Sequence, residues 1–221
     1  EQPINVESND GKAGSITILQ ANERSEISFT IFKNQNTLDY NNWGLTGGVT
    51  FFESDVDINN STFIDNNCED GLNIVKSNFT LENCSFKNIK FDAFDADFCI
   101  GTITNTSFET IGNDAIDFST SQIDVSNCAM LNIGDKAISA GEQATVNAKD
   151  IFVDQAKFAV ASKDRSVLTI ENLEMRNCET GFAAYQKKPE FGSATIVSNG
   201  YESTNIERMF MIEPGSIFIN N

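Results

Sequence analysis

The sequence repeats itself every 22 residues between Asp70 and Asp135. Three successive lines read DGLNIVKSNFTLENCSFKNIKF, DAFDADFCIGTITNTSFETIGN and DAIDFSTSQIDVSNCAMLNIGD. Within each line apolar and polar residues alternate and then break at a short polar segment, which is typical of one coil of short strands. A single coil cannot bury its own apolar face, so the coils must stack. The repeat therefore predicts an all-β parallel solenoid with about 22 residues per coil.

The repeat runs through most of the 221 residues, which predicts one elongated domain. Residues 1–46 are expected to form irregular first coils, with a polar excursion loop from Lys33 to Asn42. Residues 47–185 form the regular coils, and residues 186–221 form looser terminal coils, one of which opens near Arg208. Open β-helix ends invite association. We therefore expect the chain to be part of a longer protein, with adjoining domains or self-association through its ends, or else that Glu1 to Thr46 folds over one end.

Three strands are predicted in each coil, and apolar residues 22 or 23 positions apart define their inward side. The first strand places these pairs inside: Val49/Phe51, Leu72/Ile74, Phe94/Ala96, Ile116/Phe118, Ile138/Ala140, Val160/Ser162 and Phe182/Ala184. The second strand ends at a column of residues that tolerate the left-handed backbone of a sharp corner: Asn60, Asn83, Asn105, Asn127, Asp150 and Asn172. An apolar stack follows that corner: Phe63, Phe86, Phe108, Met130, Val153 and Met175.

The composition argues against several functions. Lys and Arg number 15 against 32 Asp and Glu, and the formal net charge of -17 repels nucleic acid and anionic lipid. No apolar segment approaches the roughly 18 residues of a membrane span, so membrane insertion is not expected. Histidine is absent and the five cysteines show no CxxC spacing, which argues against zinc, haem and histidine-based catalysis. The cysteines are expected to be free thiols that fill the core.

The outward positions of the first strand carry the candidate functional residues. Alternation predicts a shallow outward floor of small residues: Gly48, Gly71, Ala93, Ala115, Ala137, Ala159 and Gly181. Beside this floor lie Asp95, Asp97 and Asp117, of which Asp95 and Asp117 are one rung apart, about 4.8 Å. Like charges this close repel, so either a cation neutralises them or one carboxyl stays protonated. Three alternatives stay open. Asp70, Asp92 and Asp114 cap turns by accepting backbone N–H bonds while the other carboxylates are solvated, the carboxylates form a Ca²⁺ site, or two of them act as an acid–base pair on a glycosidic bond.

Further along the same face, positively charged side chains follow the acidic ones. The predicted carbohydrate contacts here are Ser139, Glu142, Lys163, Asp164, Tyr185 and Lys187. In a β-elimination, Ca²⁺ at the aspartates would hold a uronate while Lys163 or Tyr185 moved protons. Asp97 and Lys163 are three rungs apart, about 14 Å, so binding along several sugar units fits the spacing better than one concerted reaction. No cofactor is required for such binding.

The repeat resembles a known fold family. From about Gly48 to Ala184 the sequence resembles the right-handed parallel β-helix repeat of the pectate-lyase-like superfamily. The resemblance is carried by two motifs, I-x-V-x-N-x-x-(F/M) in the second strand and D-(A/G)-(I/L/F) at the start of the first. Four segments are similar to β-helix regions near spore-coat-protein-H-like kinase domains in bacterial surface proteins: DAIDFS, GDKAISAGE, ASKD and AAYQKKPEFG. The resemblance implies a single-stranded β-helix, secreted or at the bacterial cell surface, that meets a polymer on the outward side of its first strand.

The resemblance leaves the activity open, because lyases, hydrolases, epimerases, adhesins and inert spacers share this scaffold. The histidine motifs of polygalacturonase-like and mannuronan-epimerase-like relatives are absent. We expect a β-helix that interacts with a polysaccharide, without assigning it a reaction. The alternatives are a polysaccharide lyase or glycoside hydrolase that uses Asp95, Asp97 and Asp117, and a non-catalytic spacer or adhesin.

Overall fold

The structure is a computed structural model that describes residues 2–8, 14–40 and 43–221. These residues form about nine turns of a parallel β-solenoid, with about 22 residues per turn. The described ranges contain no helix, so no helix among them could span a membrane. The predicted all-β single-stranded β-helix is confirmed.

In chain order the strands are β1 (Ile4–Glu7), β2 (Ile16–Leu19), β3 (Ser25–Ser28), β4 (Thr30–Lys33), β5 (Leu38–Tyr40), β6 (Trp43–Leu45), β7 (Gly47–Phe52), β8 (Val56–Asn59), β9 (Thr62–Ile64), β10 (Asp70–Val75), β11 (Asn78–Glu82), β12 (Ser85–Ile89), β13 (Asp92–Asp97), β14 (Ile100–Thr104), β15 (Ser107–Ile111), β16 (Ile116–Ser119), β17 (Gln122–Gly141), β18 (Thr145–Lys163), β19 (Val167–Arg176), β20 (Thr180–Tyr185), β21 (Thr195–Thr204), β22 (Arg208–Ile212) and β23 (Ile217–Asn220). The long strands β17, β18, β19 and β21 continue round one or more corners of the coil.

Parallel stacking of the coils produces three sheets along the axis. The first-strand sheet contains β2, β7, β10, β13, β16, the ends of β17 and β18, β20 and β22. The second-strand sheet contains β3, β8, β11, β14, the starts of β17, β18, β19 and β21, and β23. The third-strand sheet contains β1, β4, β9, β12, β15, the middle of β17 and β18, and the ends of β19 and β21.

The register departs from the regular spacing near the two ends. Thr180 pairs with Arg208, 28 positions later, which confirms that a coil opens at Arg208. Near the start, Ile16 pairs with Val49, 33 positions later. The sequence predicted a polar loop within this longer first coil. Instead, β5 pairs antiparallel with β6, and residues 41 and 42 of the predicted loop lie outside the described residues.

The interior is filled by columns of like residues one rung apart. The predicted inward positions of the first strand are buried, and the predicted aromatic stack is present. The ring centroids of Phe63 and Phe86 are 4.5 Å apart, and those of Phe86 and Phe108 are 4.9 Å apart, with nearly parallel planes. Stacking of like residues follows from the constant cross-section of the coil. The five cysteines are free and buried, as predicted.

The small residues predicted to form an outward floor are buried instead. Ala93, Ala115 and Ala137 have 0% exposure, and a Cβ at Gly48 would meet Cys68 Sγ at 2.8 Å. This column lies at the corner between the third-strand and first-strand sheets, where the turning backbone directs side chains inward. The predicted floor therefore does not exist, and these residues are small because the corner is tight.

Left-handed backbone conformations mark all three corners. The predicted column that includes Asn60 and Asn83 has φ values near +50°. The corner after the third strand uses Asp65, Asn88 and Asn132 among others, and the corner after the first strand uses these residues: Glu53, Lys76, Phe98 and Thr120. The sequence analysis predicted only the first of these corners. The Asn and Asp residues of the corner after the third strand carried the same signal and were missed, whereas those after the first strand are not typical of left-handed backbone.

Gly101 makes room for an aromatic ring in the core. A Cβ at Gly101 would lie 2.4 Å from the ring of Phe79, which packs edge-to-face against Phe94 at 5.2 Å. We expect Gly101→Ala to lower the free energy of unfolding by about 1–3 kcal/mol, because the ring must leave its favoured position. The midpoint of chemical denaturation measures this loss.

Gly192→Ala is the matched control, since a Cβ there meets nothing closer than Arg165 Nε at 3.5 Å. Gly101→Ala combined with Phe79→Leu should recover part of the loss. Equal denaturation midpoints for the two single variants would contradict the packing described here.

Candidate functional site

The outward side of the first-strand sheet carries a row of carboxyl groups that we call the acidic strip, formed by Asp95, Asp97 and Asp117. The Cα of Asp95 pairs with that of Asp117 on the next rung. The predicted one-rung separation of these two residues is therefore confirmed. All three are partly exposed, and Asn73 Nδ2, one rung earlier, donates a hydrogen bond to Asp95 Oδ2 at 3.3 Å.

Two carboxyl groups of the acidic strip, those of Asp95 and Asp97, have raised pKa values. Burial raises the pKa of Asp95 well above its usual value of 3.8, and the neighbouring carboxylates of Asp70, Asp97 and Asp117 raise it further. Burial, and then the charges of Glu142 and Asp117, also raise the pKa of Asp97. The predicted repulsion between stacked carboxylates thus contributes, after burial, to the raised pKa values of Asp95 and Asp97.

Lys163 reaches along the axis and pairs with Asp117 two rungs away. Its Nζ lies 3.3 Å from Asp117 Oδ2, and the side chain of Lys163 is 5% exposed. Gly141 allows this path, because a Cβ at Gly141 would lie 2.9 Å from Lys163 Cε. Burial alone would lower the pKa of Lys163, but the charges of Asp117, Asp114 and Tyr185 together outweigh burial and the pKa is raised. The sequence analysis did not predict this contact, because residue spacing gives the number of rungs between two Cα atoms and not how far a long side chain extends.

A second row of aspartates stands at the entrance of the first strands, and we call Asp70, Asp92 and Asp114 the entrance row. Asp92 Oδ1 accepts the backbone N–H of Asp114 at 2.8 Å, and Asp114 Oδ1 accepts that of Lys136 at 3.0 Å. The predicted turn-capping role is therefore present at Asp92 and Asp114. Burial raises the pKa of Asp70 to about 7, although a hydrogen bond from Thr46 opposes it.

Lys136 is a second buried lysine on this face. Its Nζ contacts Asp114 Oδ1 at 3.4 Å and makes a short contact with Asp135 Oδ2. Burial would lower the pKa of Lys136, but Asp114 and Asp135 raise it. Burial raises the pKa of Asp114 to about 6 although Lys136 lowers it. This face thus carries two aspartate–lysine pairs, Lys163 with Asp117 and Lys136 with Asp114.

Two of the predicted carbohydrate contacts line the surface and are partly engaged by neighbours. Tyr185 is half-buried beside Lys163, and burial raises its pKa although Lys136 and Lys163 lower it. Glu142 pairs closely with Lys188. Burial would raise the pKa of Glu142, but the hydrogen bonds from Lys188 and Ser119 together with the charges of Lys188 and Lys163 outweigh burial, and the pKa is lowered.

Two other predicted contacts are enclosed. Asp164 has 0% exposure, and its Oδ1 accepts the backbone N–H groups of Lys187 at 2.7 Å and Lys188 at 2.6 Å. Its role in this fold is to hold the segment after β20. Ser139 is also 0% exposed. Lys187 is exposed. We therefore leave Asp164 and Ser139 out of the ligand-contacting surface.

The predicted Ca²⁺ site has few free donors. Over residues 2–8, 14–40 and 43–221, no group of three acidic or cysteine side chains is arranged to hold a metal ion. Of the three predicted ligands, Asp117 faces the ammonium of Lys163 and Asp95 faces the amide of Asn73. The Ca²⁺ site stays a prediction, and the geometry described here does not depend on it.

Comparison with known proteins adds the fold class. No protein-family model and no curated protein matches the sequence. Two solved structures of variants of the catalytic domain of a GH87 α-1,3-glucanase, each in complex with nigerose, match with TM-scores of 0.54 and 0.52. Each glucanase domain is 12% identical to this chain, and each match covers 100% of this chain and 59% of the glucanase chain. The likeness shows the fold, a right-handed β-helix, and this chain spans about three fifths of the glucanase domains.

The entrance row predicts how stability depends on pH. The pKa of Asp70 is about 7 and that of Asp114 about 6 in the folded chain, against 3.8. The folded state therefore binds more protons than the unfolded state between these values, and stability falls as pH rises through that window. At 1.36 kcal/mol per pKa unit, ionisation of Asp70 alone lowers the free energy of unfolding by up to about 4 kcal/mol across the whole window. Thermal unfolding should show a higher Tm at pH 5 than at pH 8.

Asp70→Asn removes one of these groups and should reduce the difference in Tm between pH 5 and pH 8. Glu109→Gln is the control, because Glu109 is exposed on the third-strand sheet and should leave the difference unchanged. A parent Tm that is equal at both pH values, or higher at pH 8, would refute the raised pKa values.

Proposed function

We propose that this chain binds a polysaccharide along the outward face of its first-strand sheet. The ion pair between Lys163 and Asp117, next to Asp95, is the observation that carries the proposal. Burying such charges costs desolvation energy and is a poor way to stabilise a fold. Clusters of carboxyls and lysines with shifted pKa values are found preferentially at functional sites.

The chemistry of this face suits a polyhydroxylated ligand. Partly exposed carboxyl groups at Asp95, Asp97 and Asp117 can accept hydrogen bonds from sugar hydroxyls. The half-buried ring of Tyr185 offers an aromatic edge near the lysine end of the same face. The net charge of -17 disfavours a polyanion and favours an uncharged glycan. A glycan of several units would extend along the axis across successive rungs.

A glucan is the class of glycan with the most support. The two glucanase domains that share this fold were determined in complex with nigerose. We carry that ligand class over to this chain as a proposal. It requires no cofactor, and it fits the predicted location outside the cell or at a bacterial cell surface, where polysaccharides are accessible.

Hydrolysis is a second candidate, favoured by the unequal environments of Asp95 and Asp117. The raised pKa of Asp95 suits a general acid that protonates the glycosidic oxygen, and Asp117 beside Lys163 suits a nucleophile. One rung is about 4.8 Å, close to the roughly 5–5.5 Å between the two carboxyls of retaining glycosidases. A lyase reaction has less support, because the raised pKa of Lys163 opposes its use as a base.

Asp95→Asn and Asp117→Asn test both candidates. We expect Asp117→Asn to weaken binding of nigerose-type oligosaccharides about 10-fold or more in calorimetric titration, because a hydrogen bond to a charged group contributes about 1.5–3 kcal/mol. Asp95→Asn should weaken binding less, because the raised pKa of Asp95 reduces its charge. If the site hydrolyses the oligosaccharide, release of reducing ends by the parent should also disappear in both variants.

Glu109→Gln should behave like the parent, and thermal unfolding should verify that all variants fold. Binding without release of reducing ends would reject hydrolysis and retain the binding function. Unchanged binding in both aspartate variants, or no binding of any uncharged oligosaccharide by the parent, would reject the proposed function.

A further inference from the structure

A second elongated concave surface lies on the outward side of the second-strand sheet. Three adjoining cavities of about 410, 400 and 340 Å³ follow one another along this sheet. The first two share Thr80, and the last two share Asp124 and Asn147. We call them together the second-sheet trough. It extends from β3 to β21, which at about 4.8 Å per rung is about 34 Å.

Uncharged hydrogen-bonding side chains dominate the middle of the trough. Register places Thr80, Thr102, Asp124, Asn147 and Thr169 in one outward column on successive rungs. A parallel column at the rim carries these residues: Asn78, Ile100, Gln122 and Thr145. A linear ligand lying in the trough would therefore meet a hydroxyl, amide or carboxyl group at each rung.

The cations that line the trough are already neutralised. Arg24 Nη1 donates to Asp57 Oδ1 at 2.8 Å, and Lys149 Nζ donates to Glu171 Oε1 at 2.7 Å. An anionic polymer would find no unpaired cation among these lining residues. The second-strand sheet presents its face here, so a peptide could not add to it through backbone hydrogen bonds as it would at a sheet edge.

One exposed apolar side chain, Ile100, lines the centre of the trough, and a second, Phe98, stands two residues earlier in the chain. Ile100 is 59% exposed in the rim column, and Phe98 is 57% exposed at the corner two residues earlier. Phe98 also has a left-handed φ of 55°, an unfavourable conformation for an aromatic residue. The polar Lys76 and Thr120 occupy the same corner in the adjacent coils. Apolar groups beside hydroxyls and amides match a sugar ring, which has C–H faces and a rim of hydroxyl groups.

We propose that the second-sheet trough binds a linear, uncharged polysaccharide, separately from the acidic strip. Thr102, Asp124 and Asn147 hydrogen-bond to its hydroxyls, and Ile100 packs against the face of one sugar ring. The trough lies on a different sheet from Asp95 and Asp117, so this binding does not rest on the function proposed above.

Affinity electrophoresis through gels that contain a soluble α-glucan, β-glucan, mannan or xylan tests the proposal. We expect at least one of these polysaccharides to retard the parent, and Thr102→Arg to weaken the retardation about 10-fold, because the arginine fills the trough. Ile100→Ser should weaken it without adding charge. Ser107→Arg is the matched control, since Ser107 is an outward hydroxyl in the same coil on the third-strand sheet, and it should behave like the parent.

The double variant Asp95→Asn/Asp117→Asn distinguishes the two sites. Retardation that persists in this variant and is lost in Thr102→Arg supports the trough even if the acidic strip binds nothing. Retardation that is lost in the double variant and unchanged in both trough variants overturns the trough and leaves the acidic strip. The trough proposal is also overturned if none of the four polysaccharides retards the parent. It is likewise overturned if the parent binds only a cationic peptide such as polylysine and Thr102→Arg abolishes that binding.

Discussion

Parallel stacking in register is the constraint on which the rest of the structure depends. Backbone groups of each coil bond to the coils before and after it, so each residue of the regular coils is held directly above its equivalent 22 or 23 positions away. The coil closes only because left-handed residues such as Asn60, Asn88 and Thr120 turn the chain at three corners. The same register that stacks Phe63 on Phe86 inside also fixes which outward residues are neighbours.

Stacking of like residues stabilises the interior but creates an electrostatic cost outside. Apolar columns gain from close contact, whereas a column of aspartates brings like charges within about one rung spacing. The chain offsets this cost in two ways, by the raised pKa of Asp95 and by Lys163, which crosses two rungs to pair with Asp117. A spacer would have no need of such a column, so its presence favours a ligand-binding surface over a passive stalk.

The sequence predicted the features that periodicity controls and missed those that depend on side-chain reach. Inward pairs such as Leu72/Ile74 and the neighbours Asp95 and Asp117 follow from alternation and a constant period. Alternation failed at the buried Ala115, because it does not hold where the backbone turns a corner. The Lys163–Asp117 contact depends on the absence of a side chain at Gly141, which no repeat pattern signals. The second-sheet trough arises from the shape of the stacked coils and has no motif of its own.

The central claim is that Asp95 and Asp117 are stacked neighbours on a partly desolvated outer face. Carbon-detected NMR titration of the side-chain carboxyl of Asp95, in the parent and in Asp117→Asn, measures this most directly. The pKa of Asp95 should lie well above 3.8 in the parent and should fall in the variant, because a neighbouring negative charge has been removed. An Asp95 that titrates near 3.8 in both proteins would contradict the stacking of these two carboxyls and the function proposed for them.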